Sequence, residues 1–152
     1  MRALNPAYVA ELIERVNRAP FVRHLTMRLA AIEPNRSVIE VAAGEQHLQP
    51  FGIVHGGVLA TLIDTATFWA VFLDLPDGAG LVNVDLKLNY LEPAKPGPLR
   101  AEGRCIRAGR SISYAEAHVT GDDGTLFAHG TSTLMALPGK GFRLATPKFL
   151  ET

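Results

Sequence analysis

Between Gln49 and Phe72 the chain reads QPFGIVHGGVLATLIDTATFWAVF, and a single acidic residue, Asp64, interrupts an otherwise apolar run of helical character. A carboxylate taken out of water without a partner costs several kcal/mol or more, so Asp64 has either a hydrogen-bonded role in the fold or a chemical one. His55 and the pair Gly56-Gly57 stand where that helix is predicted to begin. The first N–H groups of a helix lack internal partners and carry partial positive charge, so they can hold an oxyanion or polarise a carbonyl. Glycine there lets a ligand come close. His55 and Asp64 are nine positions apart, which is about 13–14 Å along a helix and close to opposite sides of it. One chain cannot bring both to one atom. If both act on the same group, the helix start of one subunit must meet Asp64 of another.

The helix that carries Asp64 is predicted to start just after the glycine pair. Val58, Leu59, Leu62, Ile63, Ala66, Phe68, Trp69, Val71 and Phe72 cover more than one of its faces, so it is wrapped by protein. At about 16 residues, with three threonines and Asp64 inside, it falls short of the roughly 20 apolar residues a bilayer requires. Ahead of it, Asn5-Pro6 starts an amphipathic helix that Pro20 stops. Two apolar runs, Thr26 to Ile32 and Val38 to Ala42, flank Glu33-Pro34-Asn35-Arg36 and predict a hairpin. After it, Val82, Val84, Leu86, Leu88 and Tyr90 alternate with Asn83, Asp85, Lys87 and Asn89, the strongest strand signal in the chain. Leu99 to Arg107, Ile112 to Thr120 and Leu126 to Met135 then predict a three-strand meander. The order of elements predicts an α+β domain, a curved antiparallel sheet wrapped around one long helix. Such a sheet leaves its outer face and edge strands for another subunit to cover, so a homodimer is expected, and pairing of dimers with it.

Composition narrows the partners. Fifteen basic residues balance fifteen acidic ones, so no net field points to nucleic acid or to an anionic membrane surface. The lone cysteine, Cys105, cannot form an intramolecular disulfide, and the N-terminal MRALNPAYVAELIERV has no uninterrupted apolar core, which together predict a cytoplasmic protein. The five histidines are scattered, without a Cys-x-x-Cys or His-x-x-x-His pair, so no metal site is expected. Neither G-x-G-x-x-G nor GK[ST] occurs, and a serine nucleophile elbow is absent.

Gln49, His55-Gly56-Gly57 and Asp64, followed by VNVDLKLNYLEPAKPG and the Gly109-Arg110 turn, resemble the hotdog-fold acyl-CoA thioesterases of the PaaI type over roughly residues 40–134. The resemblance implies that Asp64 acts as general base or nucleophile on the thioester and that the N–H of Gly56 or Gly57 polarises its carbonyl. By the same resemblance His55 orients the site. Gln49, standing where many members of the family have asparagine, holds the nucleophilic water. Asn83 falls where some relatives carry a serine or threonine assisting that water, and otherwise reads as an interface or solvent residue. Arg110 is the first choice for the phosphates of coenzyme A, and Phe68 for an aryl or medium-chain pocket. The activity implied is hydrolysis of an acyl-CoA to the free acid and coenzyme A without a cofactor, coenzyme A being part of the substrate. A non-catalytic acyl-CoA binding module and an enoyl-thioester hydratase are the alternatives. The chain divides into an N-terminal helix and lead-in, 1–24, the hotdog domain, 25–136, and a C-terminal tail, 137–152.

Overall fold

Asn5 caps the first helix, as its place before Pro6 predicts. In the computed structural model, which describes residues 3 to 150, its side chain accepts from the Ala7 N–H at 3.0 Å and α1 runs Pro6–Asn17. The first two and last two positions of the predicted terminal segments lie outside the described residues. Tyr8, Leu12 and Val16 form the buried face of α1. Pro20 ends that helix but also opens a short second one, α2 (Pro20–His24), which the sequence reading left out. Proline's fixed φ suits a first helical turn as well as it stops a preceding one. The predicted hairpin follows as β1 (Met27–Glu33) and β2 (Arg36–Ala43), with Asn35 of its turn in the left-handed region at φ 64°.

The long helix, α3, spans Gly56–Phe72 with His55 as its N-cap, so both glycines lie inside its first turn rather than before it. Five further strands complete one antiparallel sheet: β3 (Gly80–Asn83), β4 (Lys87–Tyr90), β5 (Gly97–Arg107), β6 (Ile112–Gly121) and β7 (Leu126–Leu137). The order is β1-β2-β5-β6-β7-β3, with β4 also paired to β7, and the sheet curls round α3 as the resemblance implies. Small residues on the concave side make that wrapping possible. Ala101, Ala115, Ala117 and Ala128 are fully buried, and a Cβ on Gly103 would sit 2.2 Å from the Ala66 carbonyl oxygen of α3.

One prediction is corrected here. The alternating segment Val82 to Tyr90 is two strands, not one. Between them Asp85 turns its carboxylate to accept from the Thr133 N–H at 2.7 Å, and the Ser132 hydroxyl donates to its carbonyl at 2.7 Å. The alternating valines and Tyr90 face outward and are exposed, while Asn83 faces α3. The period was real. Val82, Val84 and Tyr90 lie on a side that a single chain leaves uncovered, whereas Leu86 and Leu88 are half-buried against the core.

The tail returns across α1. Glu11 accepts from the Ala145 and Thr146 N–H groups at 2.8 and 2.9 Å, and the Asn5 N–H donates to the Lys148 carbonyl at 2.9 Å. Among the described residues no helix is long and apolar enough to cross a membrane.

Candidate active site

The start of α3 is assembled from a loop that returns on itself. His47, buried at 1% exposure, accepts the Gly44 N–H on Nδ1 at 2.9 Å and pairs through Nε2 with the Leu25 carbonyl at 2.7 Å. Its own carbonyl accepts the His55 N–H at 2.8 Å, which fixes where the helix begins. His55 Nδ1 then accepts the Gly57 N–H at 2.8 Å as a side-chain cap. That bond occupies the Gly57 amide. The Gly56 N–H, by contrast, meets no acceptor among the described residues. Of the two amides the resemblance offers for a carbonyl, only Gly56 is therefore open in the single chain.

Gly56 faces a cleft of about 340 Å³ lined by Gln49, Val54, Leu59, Tyr90 and Glu92 among others. Gln49 Oε1 accepts the Phe51 N–H, which leaves the side-chain NH₂ group to the cleft. Tyr90 is a member of this site that the sequence reading took only for a strand residue. Its hydroxyl donates to the Gly56 carbonyl at 3.1 Å, and its ring lies where a Cβ on Gly56 would be 3.0 Å away. Nothing in period-two patterning separates such a tyrosine from an ordinary strand aromatic.

Asp64 lies two turns further along α3. Thr61, Asp64, Thr65 and Phe68 form a half-buried stripe on a helix that is otherwise enclosed. Burial raises the Asp64 pKa above the ordinary carboxylate value. No donor or cation among the described residues meets its carboxylate, whereas its backbone carbonyl is held by Thr67 Oγ1 at 2.9 Å and Asn83 Nδ2 at 3.3 Å. Asn83 Nδ2 also reaches Thr67 Oγ1 at 3.2 Å and Ser132 Oγ at 2.9 Å. Asn83 thus stands behind the turn that presents Asp64. Thr67 and Ser132, which complete this network, were missed because isolated hydroxyls in apolar runs carry no spacing signal.

The structure brings Gln49, His55, Gly56 and Gly57 together, and Asp64, Asn83 and Phe68 together, but keeps the two groups apart. Gly56 and Asp64 are eight residues apart on one helix, about 12 Å along its axis. Arg110, exposed in the β5–β6 turn, belongs to the Asp64 end. Ile112 pairs with Met135 and Val82 with Met135, while Tyr90 pairs with Ala128 at the other end. Seven residues of β7 separate the two levels, about 23 Å of extended strand. Phe68 packs edge-on against Trp69 with centroids 4.8 Å apart and stacks on Phe72 at 6.0 Å, forming an aromatic wall beyond Asp64. Among the described residues no group of three or more His, Cys, Asp or Glu could hold a metal.

A lone, desolvated carboxylate and an unpaired helix-start amide are the parts that addition to a carbonyl needs. The model of the Thioesterase superfamily matches residues 51–128, which include Gly56, Asp64 and Asn83. This chain belongs to the thioesterase superfamily. Mouse acyl-coenzyme A thioesterase 13 is 31% identical over 107 residues, covering 69% of this chain and 76% of that one. A thioesterase from Haemophilus influenzae superposes with a TM-score of 0.81 over 91% of this chain and 96% of its own, at 24% identity. The PaaI protein of E. coli superposes with a TM-score of 0.76 over 86% and 93% at 18% identity. These two likenesses establish the hotdog fold, and the family makes thioester hydrolysis the chemistry of the chain.

Proposed function

We propose that the protein hydrolyses an aryl or medium-chain acyl-CoA to the free acid and coenzyme A, with each active site shared between two copies of the chain in a homodimer. The observation that carries this reading is the Asp64 carboxylate, half-buried, unpaired among the described residues, and about 12 Å from the one amide of its own helix start that they leave open. A side chain of that length cannot close such a gap, so the amide must come from a second copy.

In this reading the Gly56 N–H of one protomer donates to the thioester carbonyl, and Asp64 of the other takes a proton from water. The water oxygen adds to the carbonyl carbon, and negative charge moves onto the oxygen facing Gly56. Collapse of that intermediate breaks the C–S bond, and coenzyme A leaves with the proton that Asp64 returns. Burial raises the Asp64 pKa, which makes the carboxylate a better proton acceptor near neutral pH and suits the base role. The NH₂ of Gln49 holds the thioester or the water in the cleft, His55 fixes the helix start through its cap on Gly57, and Asn83 holds the turn below Asp64. Phe68 lines the acyl side, and Arg110, at the Asp64 end of the sheet, meets the phosphates of coenzyme A. No cofactor or metal enters the scheme. The reading also carries a cytoplasmic location and pairing of dimers.

The test is thiol release from phenylacetyl-CoA and octanoyl-CoA by wild type and Asp64→Asn. Turnover should fall roughly 10²–10⁴-fold, the usual effect of losing a positioned base, with the dimer unchanged by sedimentation. Wild-type turnover by the Asn variant would remove Asp64 from the chemistry.

A further inference from the structure

A second cavity lies between α1, the loop after α3 and the C-terminal tail, about 460 Å³ in volume, with Tyr8, Phe72, Asp77, Phe142, Arg143 and Lys148 among its lining. It is distinct from the cleft at Gly56. Phe72 is two turns beyond Asp64, about 12 Å further along α3. Tyr8 and the tail residues also lie outside the stretch 51–128 that matches the family.

Lys148 is the unusual member. It is only 4% exposed, and its ammonium donates to the Leu75 carbonyl at 2.6 Å and sits 5.5 Å from the Phe149 ring centroid. An ammonium has three N–H donors, and no second acceptor meets it among the described residues. Asp74 and Asp77 act on it through space, yet it belongs to no ion pair of the described residues. Burial pulls its pKa down from the ordinary lysine value. Lysine is rarely buried without a paired anion, because an uncompensated cation out of water is costly. Beside it, Phe72 and Phe142 stack with centroids 5.7 Å apart and planes 11° apart, and the Arg15 guanidinium covers Phe142 at 5.9 Å.

We propose that this cavity binds a small arylalkanoate, its ring against Phe72 and Phe142 and its carboxylate on Lys148. The two unused N–H groups of one ammonium match the two oxygens of a carboxylate. Asp77 in the wall opposes a dianionic phosphate more than a monoanionic carboxylate, and a neutral ligand leaves the cation with only Asp74 and Asp77 acting on it through space. The volume is within the usual range of small-molecule pockets. Acids released by thioester hydrolysis belong to this class, but binding here does not depend on that reaction.

Trp69, the single tryptophan, has its ring centroid 4.9 Å from that of Phe72 and reports on the cavity by its emission. Titration of the full-length protein with 4-phenylbutyrate should shift that emission saturably. 4-Phenylbutanamide, which has the same body without the charge, should bind at least tenfold more weakly. Lys148→Met should lose the preference for acid over amide. Because that change also removes the Lys148 bond to Leu75, Phe142→Ala, which keeps that bond, should independently weaken phenylbutyrate. Equal binding of acid and amide, phenylbutyrate affinity unchanged in both variants, or no saturable shift would overturn the proposal. So would competition between phenylbutyrate and the thioester substrate for turnover, since it would put the ligand at the catalytic site.

Discussion

Replacing Gly56 by proline removes one N–H and little else. Gly56 is the first residue of α3, where proline's φ is already helical and the missing N–H has no partner within the helix. His55, at φ −61° and ψ 135°, already holds the extended conformation that the residue before a proline requires. The nearest obstacle is the tip of Tyr90, 3.0 Å from a Cβ at this position, and that exposed side chain can swing aside. In doing so it gives up its 3.1 Å bond to the Gly56 carbonyl, a loss that Tyr90→Phe reproduces alone and controls for. The Gly57 N–H stays on His55, so the cap survives. What goes is the proposed oxyanion donor, and loss of one such donor typically lowers kcat about 10²–10³-fold, or about 2.7–4 kcal/mol. Thiol release at saturating acyl-CoA measures it. A folded, dimeric Gly56→Pro enzyme with wild-type kcat would refute the role of this amide. The variant also tests the shared site, because co-expression with Asp64→Asn yields mixed dimers. In a site built across chains, one of the two sites in each mixed dimer holds both intact halves. Half of randomly paired dimers are mixed, so about a quarter of wild-type activity returns from two nearly dead parents. If Asp64 and Gly56 of the same chain worked together, nothing would return.

Two further outcomes follow from the packing. Asp64 has a pKa raised by burial, so its neutral form stabilises the fold fully below the ordinary value of 3.8 and that contribution is lost as pH rises through the folded value. Asp64→Asn should therefore melt higher than wild type at pH 7 and no higher at pH 3, and the acid limb of wild-type kcat/KM should lie above 3.8; equal melting at pH 7 contradicts the argument. Gly103→Ala puts a Cβ 2.2 Å from the Ala66 carbonyl oxygen and 2.9 Å from Ser37 Oγ, so β5 must retreat from α3. A loss of about 1–3 kcal/mol in urea unfolding is expected, as for other overpacked cores, and an unchanged midpoint would show that the sheet is free to relax.

How much of this was legible in the sequence depended on whether a residue acts through periodicity or through contact. The hairpin, the meander and the buried helix were readable because apolar spacing sets which face is covered, and β1, β2, β5, β6 and β7 stand close to their predicted ranges. Asp64 and the glycine pair were readable because charge in an apolar helix and glycine at a helix start are locally anomalous. The segment from Val82 to Tyr90 misled for the same reason that it was conspicuous. Strict alternation marks a strand with one side buried, but it does not say whether the burying surface belongs to the same chain. Tyr90, Thr67 and Ser132 needed coordinates, since each matters only through a partner 16 to 49 positions away in sequence. Lys148 shows the same limit. A lysine near a C-terminus reads as a solvated charge, and only the return of the tail across α1 encloses it.

The division of the proposed site follows from the regular rise of α3. A helix fixes its first amide and a carboxylate two turns on at a separation that no bend of side chain removes, so the two groups can share a substrate only through symmetry. A two-fold axis that sets two copies of α3 antiparallel brings each helix start toward the other's midpoint and makes two equivalent sites at once. The half-buried stripe of Thr61, Asp64 and Phe68 and the edge formed by β3 and β4 are the surfaces left uncovered on that side. An unpaired edge of this kind invites pairing with another chain. That edge runs from Asn83, behind Asp64, to Tyr90, on Gly56. Closing the sheet edge and completing the catalytic pair would thus be one event, and weakening the edge should lower activity in step with dimer population.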